Sequence, residues 1–333
     1  MSAHNRQVLL ASRPRGQVGE ENFRIIDAPI APPGDGEVLV RNEWLSLDPY
    51  MRGRMSDVKS YVPPVQLGQV MVGQTVGEVV ESRDQAFRPG DKVLTSLGWQ
   101  LYGTAEAGAL TRIDPARAPA SYYLGLLGMP GMTAWFGLLD IGQPKTGDTV
   151  VVSAASGAVG SVVGQLAKSR HCRVVGIAGG EAKCRYAVEE LGFDACVDYK
   201  AGRLEQDLPK HCPDGIDVHF ENVGGALLDT VLRSMNLHSR VVICGLIAEY
   251  NATEPYGYKM LRAVLVKRIK MQGMIVFDWK DRYDEALQGL QALYSDGKLK
   301  YRESIVEGID NAPRGLIGLL NGENFGKQLV RLV

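Results

Sequence analysis

The chain has 333 residues, of which 45% are hydrophobic and 23% are charged, and its formal net charge is -1. This length fits two globular domains, and a charge so close to zero provides no general attraction to nucleic acid or to anionic membranes. The sequence has no apolar run of about 18 residues, the length that a membrane-spanning helix needs, and its N-terminal stretch lacks the apolar core of a signal peptide. We therefore expect a cytoplasmic protein that binds neither nucleic acid nor a membrane.

The five cysteines are widely spaced, and no two of them form a C-x-x-C pair. This spacing is typical of reduced, mostly buried thiols and does not indicate a metal site. The sequence motifs of zinc proteases, serine hydrolases and P-loop nucleotide hydrolases are absent as well. Hydrolase functions therefore lose their usual support.

Residues 1 to about 120 are predicted to form short strands and turns in a compact all-β unit. Strands are expected over residues 37–47 and 76–80, and the turn at 88–91 leads into another strand. The segment at 45–54 is unusual, because a strand runs into a proline-fixed turn that carries Tyr50 and two arginines. From its sequence alone this segment is either a surface turn or part of a functional site.

From about Tyr122 the pattern changes to alternating helices and strands. One helix is expected to stop at the Pro130–Gly131 turn, and a second helix to run through Phe136 to Leu139. Strands are then expected at 149–153, 173–177, 195–199, 216–221 and 240–245, helices at 182–191 and 226–234, a helical pattern at 283–294, and a final strand at 327–333. This alternation predicts a doubly wound parallel sheet.

The turn after the first of these strands is rich in small residues. Residues Ala155–Gly160 form the pattern A-x-G-x-x-G, whereas the standard dinucleotide fingerprint has glycine first. A buried strand, such a turn and a helix N-terminus together direct backbone N–H groups at one point, which suits a phosphate. The pattern favours dinucleotide binding over the alternative, in which the small residues only allow a helix to pack closely on the sheet.

The end of the next strand indicates which dinucleotide binds. NAD-binding folds place an acidic residue there to bind the ribose 2′-hydroxyl, but this chain has Ala178–Gly180. Glu181 follows directly, although the helix dipole also favours an acid at the start of a helix. Lys183 is either a partner for a 2′-phosphate or a solvated lysine, and Tyr199 is placed to pack beside adenosine. The missing acid favours NADPH over NADH.

Seven motifs, in order, give the chain a resemblance to a known family over essentially its whole length. They are LSLDPYMRGRM (45–55), GMPGMTAWFGL (128–138), AASGAVGSVVGQLAK (154–168), LGFDACVDYK (191–200), FENVGG (220–225), CGLIAEYN (244–251) and GENFGKQLV (322–330). The chain resembles the zinc-independent medium-chain dehydrogenase/reductases, specifically the branch of leukotriene B4 12-hydroxydehydrogenase/prostaglandin reductase, plant alkenal double-bond reductases and bacterial curcumin reductase. In that family an alanine in the first position of the loop is normal.

The resemblance implies an α/β fold with two domains. Residues 1–122 and 300–333 would form a GroES-like β-barrel catalytic domain, and residues 123–299 a Rossmann NADPH-binding domain with a doubly wound parallel sheet. Zinc-dependent relatives carry a catalytic cysteine and a G-H-E motif in the first domain. Here no cysteine precedes Cys172 and no G-H-E motif is present, so the resemblance implies no metal ligands.

The resemblance also carries the family's site residues over, motif by motif. The residues implied to bind NADPH are Gly157, Ala158, Val159, Gly160, Ser161, Lys183, Tyr199, Asn222, Cys244, Gly245, Leu246, Ile247, Tyr250, Met274, Ile275, Val276 and Asn324. The alternative for Asn222 is an asparagine that only satisfies a turn beside Gly224 and Gly225. Met274–Val276 matches a strand, and Asn324 matches a turn in the tail.

The family reduces the carbon–carbon double bond of α,β-unsaturated ketones and aldehydes, so a small-molecule carbonyl compound is the implied substrate. Hydride from nicotinamide C4 would attack the β-carbon, and the negative charge that develops on the carbonyl oxygen needs a preplaced donor. Tyr250 is the first candidate for this catalytic donor and Tyr50 the second, assisted by a cofactor ribose hydroxyl. For each tyrosine the alternative is an aromatic wall of an apolar pocket.

Other functions and roles stay open from the sequence. A quinone reductase would use the same cofactor geometry on a different acceptor, a secondary alcohol is another substrate, and a non-catalytic NADPH-binding protein is the alternative from another class. Arg52 either holds an anionic substrate group or forms a salt bridge in the barrel. The resemblance further implies a homodimer that forms through an edge strand near Met271–Val276.

Overall fold

The structure is a computed structural model that describes residues 4–333. Its strands, in chain order, are β1 (His4–Leu10), β2 (Phe23–Pro29), β3 (Glu37–Ser46), β4 (Thr75–Ser82), β5 (Lys92–Thr95), β6 (Tyr102–Glu106), β7 (Thr111–Arg112), β8 (Thr149–Ser153), β9 (Arg173–Ala178), β10 (Ala195–Asp198), β11 (Ile216–Glu221), β12 (Met235–Ile243), β13 (Lys270–Gly273), β14 (Glu303–Glu307) and β15 (Lys327–Arg331). Its α-helices are α1 (Tyr50–Arg54), α2 (Met129–Phe136), α3 (Gly160–Ser169), α4 (Glu181–Glu189), α5 (Leu204–His211), α6 (Gly225–Ser234), α7 (Leu261–Lys267), α8 (Tyr283–Ser295) and α9 (Ala312–Leu320). Among residues 4–333 no helix has the length and apolar character needed to cross a membrane.

The described residues form two compact units, each assembled from separate stretches of the chain. Unit 1 contains the residues up to Leu124 together with Glu303–Asn324 and Gln328–Val333. Unit 2 contains Gly125–Arg302 and the short segment Phe325–Lys327. The tail after Arg302 therefore contributes to both units, whereas the sequence assigns all of residues 300–333 to the first.

Unit 1 is built on antiparallel strands. Its larger sheet has the order β14-β15-β3-β4-β5-β7, and β6 also pairs with β3. β1 and β2 form a separate two-stranded sheet. Val38 and Val40 on β3 are fully buried on one face of the strand, and Leu39 between them is buried on the other.

The segment that follows β3 is not a surface turn. Pro49 starts the short helix α1, and on this helix Met51 is fully buried and Arg52 is 5% exposed. The Arg52 guanidinium donates hydrogen bonds to Ser56 Oγ (2.8 Å) and to the Gly16 carbonyl (3.0 Å). Arg52 thus ties α1 to the loop after β1, and burial lowers its pKa.

Unit 2 contains the predicted parallel sheet, in the order β10-β9-β8-β11-β12-β13. Val150–Val152 of β8 are fully buried, as expected for a strand covered on both faces. Strands added after β8 extend the sheet in one direction and strands added after β11 extend it in the other. The topological switch point, where doubly wound sheets bind ligands, therefore lies between β8 and β11. The predicted α/β fold class is confirmed.

Three predicted boundaries in unit 2 are wrong. Pro130 and Gly131 lie in the first turn of α2, where proline costs no hydrogen bond, so they begin a helix instead of ending one. A Cβ on Gly131 would lie 1.8 Å from the Leu126 carbonyl oxygen, which explains the glycine. β12 begins at Met235 and ends at Ile243, and β13 ends at Gly273, so Met274–Val276 is not a strand.

Candidate active site

The turn between β8 and α3 has the geometry of an anion site. A Cβ on Gly160 would lie 2.4 Å from the Ala154 carbonyl oxygen, so only glycine allows α3 to start this close to the turn. Within the described chain, no hydrogen bond uses the backbone N–H of Ala158 or Val159. Ser161 is buried, and its N–H donates to the Gly157 carbonyl (3.0 Å). The two unused N–H groups at the N-terminus of a ten-residue helix fit a pyrophosphate.

The turn between β9 and α4 has no carboxylate where the ribose-binding acid of an NAD site would lie. Gly179 and Gly180 form this turn, and a Cβ on Gly179 would lie 3.0 Å from the Tyr199 hydroxyl and 3.1 Å from Lys200 Cε. These side chains therefore lie over the turn. Glu181, the next acid, pairs with Arg185 of its own helix (2.7 Å).

Two lysines lie close together at this turn. Burial, and then the positive charge of Lys200, lower the pKa of Lys183. Two cations beside one glycine turn can bind an anion, because an anion offsets their repulsion. Tyr199 is 42% exposed, so its ring has a free face, and a cleft beside it is lined by residues that include Arg203 and Thr230.

Sequence reasoning missed Lys200. This residue follows β10, and no local sequence pattern indicates that its side chain turns toward α4. The only available signal is the predicted topology, because the ends of neighbouring parallel strands share one edge of the sheet, so residues after β9 and β10 lie near each other. The Asp198 carboxylate fixes this arrangement, because it accepts hydrogen bonds from the N–H groups of Gly180 (2.8 Å) and Lys200 (2.9 Å).

The turns after β11 and β12 run side by side at the carboxyl edge of the sheet. The Asn222 side-chain amide donates to the Ser153 carbonyl (2.8 Å), so Asn222 joins the ends of β8 and β11, at the switch point. The N–H groups of Cys244 and Ala248 donate to the carbonyls of Glu221 and Val223, both at 2.9 Å. The segment 244–248 is thereby held against the turn that carries Asn222.

Tyr250 folds back over its own turn. Its hydroxyl accepts a hydrogen bond from the Leu246 N–H (3.4 Å), and a Cβ on Gly245 would lie 3.3 Å from the same oxygen. Ile247 lies in the single helical turn between them. Burial and the charge of Glu221 raise the pKa of Cys244 to about 12, so this thiol stays protonated and unreactive at neutral pH.

Met274, Ile275 and Val276 follow β13 at the same edge. The Met274 N–H donates to the Ile243 carbonyl (3.1 Å), and the Tyr283 hydroxyl donates to the Val276 carbonyl (3.1 Å). Met274 and Val276 are buried. The structure thus brings the predicted residues of unit 2 to the ends of β8, β9, β10, β11, β12 and β13.

Two predicted site residues, Tyr50 and Asn324, belong to unit 1. Tyr50 is the first residue of α1, where burial, with a contribution from the Asp48 charge, raises its pKa well above the ordinary value. Its hydroxyl therefore stays protonated. Asn324 ends the Glu303–Asn324 stretch of unit 1. In unit 2, Gly326 forms a parallel bridge with Gly157 of the anion-site turn.

Comparison with known proteins identifies the family. Residues 6–113 match a family model described as the N-terminal domain of oxidoreductase, and residues 158–292 match one described as zinc-binding dehydrogenase. The chain is 50% identical to the NADPH-dependent curcumin reductase of Escherichia coli, with 98% of this chain and 97% of that protein covered. It belongs to the zinc-independent medium-chain dehydrogenase/reductases.

Other members of this reductase family are nearly as similar. The 2-alkenal reductase (NADP(+)-dependent) of Nicotiana tabacum is 42% identical, with 98% of this chain and 97% of that protein covered. The crystal structure of CurA in complex with NADPH from Vibrio vulnificus has a TM-score of 0.94 and 50% identity, covering 98% of this chain and 99% of that one. As for metal ligands, residues 4–333 contain no group of three His, Cys, Asp or Glu side chains that could hold an ion.

Proposed function

We propose that this protein is an NADPH-dependent reductase of the carbon–carbon double bond of α,β-unsaturated ketones and aldehydes. The observation that carries this proposal is the 50% identity, over 98% of the chain, to an NADPH-dependent curcumin reductase. The similarity to an NADP(+)-dependent 2-alkenal reductase supports the same reaction on a smaller substrate. The substrate is a small molecule.

The two units take different roles in this proposal. Unit 2 holds NADPH and unit 1 is the catalytic domain, with boundaries near residues 122 and 300. The unused N–H groups of Ala158 and Val159 and the glycines around them fit the pyrophosphate. Lys183 and Lys200, beside a turn with no acid, fit the 2′-phosphate, and Tyr199 fits the adenosine.

The remaining contacts to NADPH are assigned along the carboxyl edge of the sheet. Asn222 is assigned to a cofactor ribose from its motif, and the assignment is supported because its Nδ2 is anchored on Ser153 and its Oδ1 accepts no hydrogen bond from residues 4–333. Cys244–Ile247 and Tyr250 are assigned to the nicotinamide side, and Met274–Val276 is assigned as a further segment that reaches the cofactor. Asn324 is assigned from its motif.

When bound, NADPH supplies the hydride that adds to the substrate β-carbon. Negative charge then develops on the carbonyl oxygen, and we propose that the Tyr250 hydroxyl donates a hydrogen bond to it. The Leu246 N–H donates to this hydroxyl, which holds the oxygen over the turn, and a phenol O–H is a suitable donor to a developing oxyanion. Tyr50, protonated by the same reasoning as above, is proposed as the second donor.

We also propose that two copies associate through unit 2. β13 is the outermost strand of its sheet, so its outer backbone groups have no strand partner among residues 4–333. The helix before it, α7, exposes three apolar side chains, Leu261, Leu265 and Val266. A second copy would cover both features by pairing the same edge across a two-fold axis.

The reaction is tested by following NADPH oxidation with a panel of 2-alkenals, enones and quinones. We expect turnover of the unsaturated carbonyl compounds, with a product saturated at the former double bond. Turnover of quinones alone would indicate a quinone reductase. Tight NADPH binding without turnover of any acceptor would overturn the enzymatic proposal.

A further inference from the structure

A buried polar cluster lies directly beneath the candidate site. Ser153, His219 and Glu221 are all fully buried, and they belong to β8 and β11, the two strands that flank the switch point. Ionisable side chains are rarely buried without a partner, because removing a charge from water costs several kcal/mol or more. The roles proposed for the anion-site turn and for Tyr250 do not explain why this cluster is present.

The hydrogen bonds of His219 define where its protons lie. Nδ1 faces the Val151 carbonyl (3.1 Å), and Nε2 faces Oε2 of Glu221 (2.9 Å). A carbonyl oxygen only accepts, so Nδ1 carries a proton. The second contact also requires one proton between the nitrogen and the carboxylate. The pair therefore has no net charge, which makes its complete burial possible.

The other oxygen of Glu221 connects the pair to the neighbouring turn. Oε1 accepts hydrogen bonds from the Ser153 hydroxyl (2.6 Å) and from the Val223 N–H (2.5 Å). The Ser153 oxygen in turn accepts from the Asn222 N–H (2.7 Å). Burial would raise the pKa of Glu221, but His219, Ser153 and Val223 lower it by more.

The same residue also holds the next turn. The Glu221 carbonyl accepts hydrogen bonds from the N–H groups of Cys244 (2.9 Å) and Gly245 (3.2 Å). One glutamate thus fixes the end of β8, the turn after β11 and the turn after β12. Each of these segments carries, or directly precedes, residues assigned above to the cofactor.

We propose that His219 and Glu221 are positioning residues, which set the placement of Asn222 and of the Cys244–Gly245 turn and thereby the affinity for NADPH and the alignment of its nicotinamide. This inference rests on the proposed function, because it assumes that those two turns contact NADPH. Neither residue touches the cofactor or the substrate. Glu221 acts through the turns that it holds, and His219 acts through Glu221.

Two variants and a matched control test the proposal. Glu221→Gln replaces an oxygen acceptor by an NH₂ group, and Ser153→Ala removes only the hydroxyl that joins Glu221 to Asn222. The control is Asp217→Asn, at the opposite end of the same strands. Its carboxylate accepts from the N–H of Thr149, the first residue of β8 (2.8 Å), and from the Asn236 side chain (2.8 Å).

Dissociation constants for NADPH are measured by cofactor fluorescence without any acceptor, and thermal unfolding is measured in parallel. We expect Glu221→Gln and Ser153→Ala to raise the Kd about tenfold and to lower kcat at saturating NADPH. Asp217→Asn should lower the unfolding temperature but change neither Kd nor kcat. Should Glu221→Gln fail to fold, Ser153→Ala decides the outcome.

Two results would overturn the inference. One is unchanged Kd and kcat in Ser153→Ala, and the other is a Kd in Asp217→Asn that rises as much as in the site variants, since the cluster would then be only structural. Nitrogen-15 NMR of histidine-labelled wild-type protein adds an independent readout, because His219 should show an Nδ1–H protected from exchange. If wild type binds NADPH but reduces no acceptor, the proposed function fails while the Kd comparison still tests the positioning pair.

Discussion

Ala155 occupies the position where the usual fingerprint has its first glycine, and the neighbouring strand explains why an alanine fits. A Cβ on Gly176 of β9 would lie 2.8 Å from the Ala155 Cβ. The space that the alanine methyl takes up is therefore provided by a glycine on β9. The residue with the left-handed backbone is Ala154, with φ of 49°, so the sequence motif alone does not identify where the turn is strained.

The lysine pair predicts cofactor selectivity. We expect Lys183→Ala and Lys200→Ala each to weaken NADPH binding by about 10- to 100-fold, since each removes a charge-assisted contact to the 2′-phosphate, and to leave NADH binding nearly unchanged. Titration of each cofactor by fluorescence measures both constants. The control is Arg185→Ala, on the same helix, whose guanidinium pairs with Glu181. Equal losses for NADPH and NADH would contradict the 2′-phosphate assignment.

The same site should depend on pH. In the proposed site the charged form of Lys183 binds the 2′-phosphate. Burial and Lys200 lower the pKa of Lys183, so it loses its proton at a lower pH than an ordinary lysine does. We therefore expect the Kd for NADPH to rise as pH increases through this lowered pKa, whereas the Kd for NADH stays level. Binding titrations across the alkaline range measure the difference. A flat NADPH profile would argue against a role for the Lys183 charge.

The Tyr250→Phe substitution separates two roles proposed for Tyr250, because it removes the hydroxyl donor but keeps the ring as a pocket wall. We expect Tyr250→Phe to lower kcat for enone reduction about a hundredfold, the usual effect of losing one donor to a developing oxyanion, with little change in the Kd for NADPH. Steady-state kinetics with a 2-alkenal measures kcat. Tyr256→Phe is the control, because that hydroxyl bonds to Asp229 (2.9 Å). Unaltered turnover in Tyr250→Phe would leave the tyrosine as a pocket wall.

Among the elements, α6 fixes the far end of the segment that begins with Cys244. Asp229 on α6 is 5% exposed, and it accepts hydrogen bonds from the N–H groups of Lys259 (3.0 Å) and Met260 (2.9 Å). The Tyr258 hydroxyl donates to Glu249 (2.5 Å) nearer to Tyr250. The loop that carries Tyr250 is therefore held at several points along its length.

The contacts of Asp229 predict how the free energy of unfolding depends on pH in the acid range. Burial would raise the pKa of its carboxyl, but the backbone of Lys259 and Met260 and the Tyr256 hydroxyl lower it by more. The ionised Asp229 carboxylate thus stabilises the folded protein above its unfolded-state pKa, about 3.9. This stabilisation is lost as the pH falls through the lower pKa of the folded state. We expect Asp229→Asn to cost about 1–3 kcal/mol at neutral pH and less in acid. Urea unfolding of wild type and Asp229→Asn at neutral and at acid pH measures the difference in the free energy of unfolding. A difference that is the same at both pH values would contradict the prediction.

The sequence predicts some elements well for a physical reason. β8 and β9 are largely continuous apolar runs, as is typical of strands covered on both faces, and their bounds agree closely with the prediction. Other elements are missed because of local signals that also occur in turns. Pro130 and Gly131 begin α2, although a Pro-Gly pair is also typical of a turn, and α5, which contains Pro209, was not predicted.

The residues of the candidate site also divide into those that the sequence could predict and those that it could not. The anion-site turn and Lys183 are local in sequence and could be proposed from it. Lys200 and the His219–Glu221 pair could not, because their roles depend on which strand ends are neighbours in the sheet. A sequence shows that His219 and Glu221 are two residues apart on a strand, but it does not show that His219 contacts Val151 of β8 or that Glu221 contacts Ser153 of the same strand.

For the whole molecule, the proposed pairing of two unit 2 sheets predicts the oligomeric state. We expect the protein to be a dimer by light scattering and Leu265→Glu to be a monomer, because a charge on the exposed face of α7 would be buried without a partner. Val58→Glu, at an apolar residue of unit 1 that is 70% exposed, is the control and should stay dimeric. A wild-type monomer, or a dimeric Leu265→Glu, would contradict this interface.

The pairing of β3 with β15 has a consequence for biosynthesis. The whole of Gly125–Arg302 separates these two strands in the chain, yet Leu45 of β3 lies opposite Val330 of β15. During translation the unit 2 sheet can assemble while the end of β3 that pairs with β15, Trp44 to Ser46, still lacks this partner strand. Unit 1 cannot complete its larger sheet until β15 has left the ribosome. The apolar side chains that form its core therefore stay exposed to water longer than those of unit 2. We expect chaperones to bind the nascent chain at these side chains.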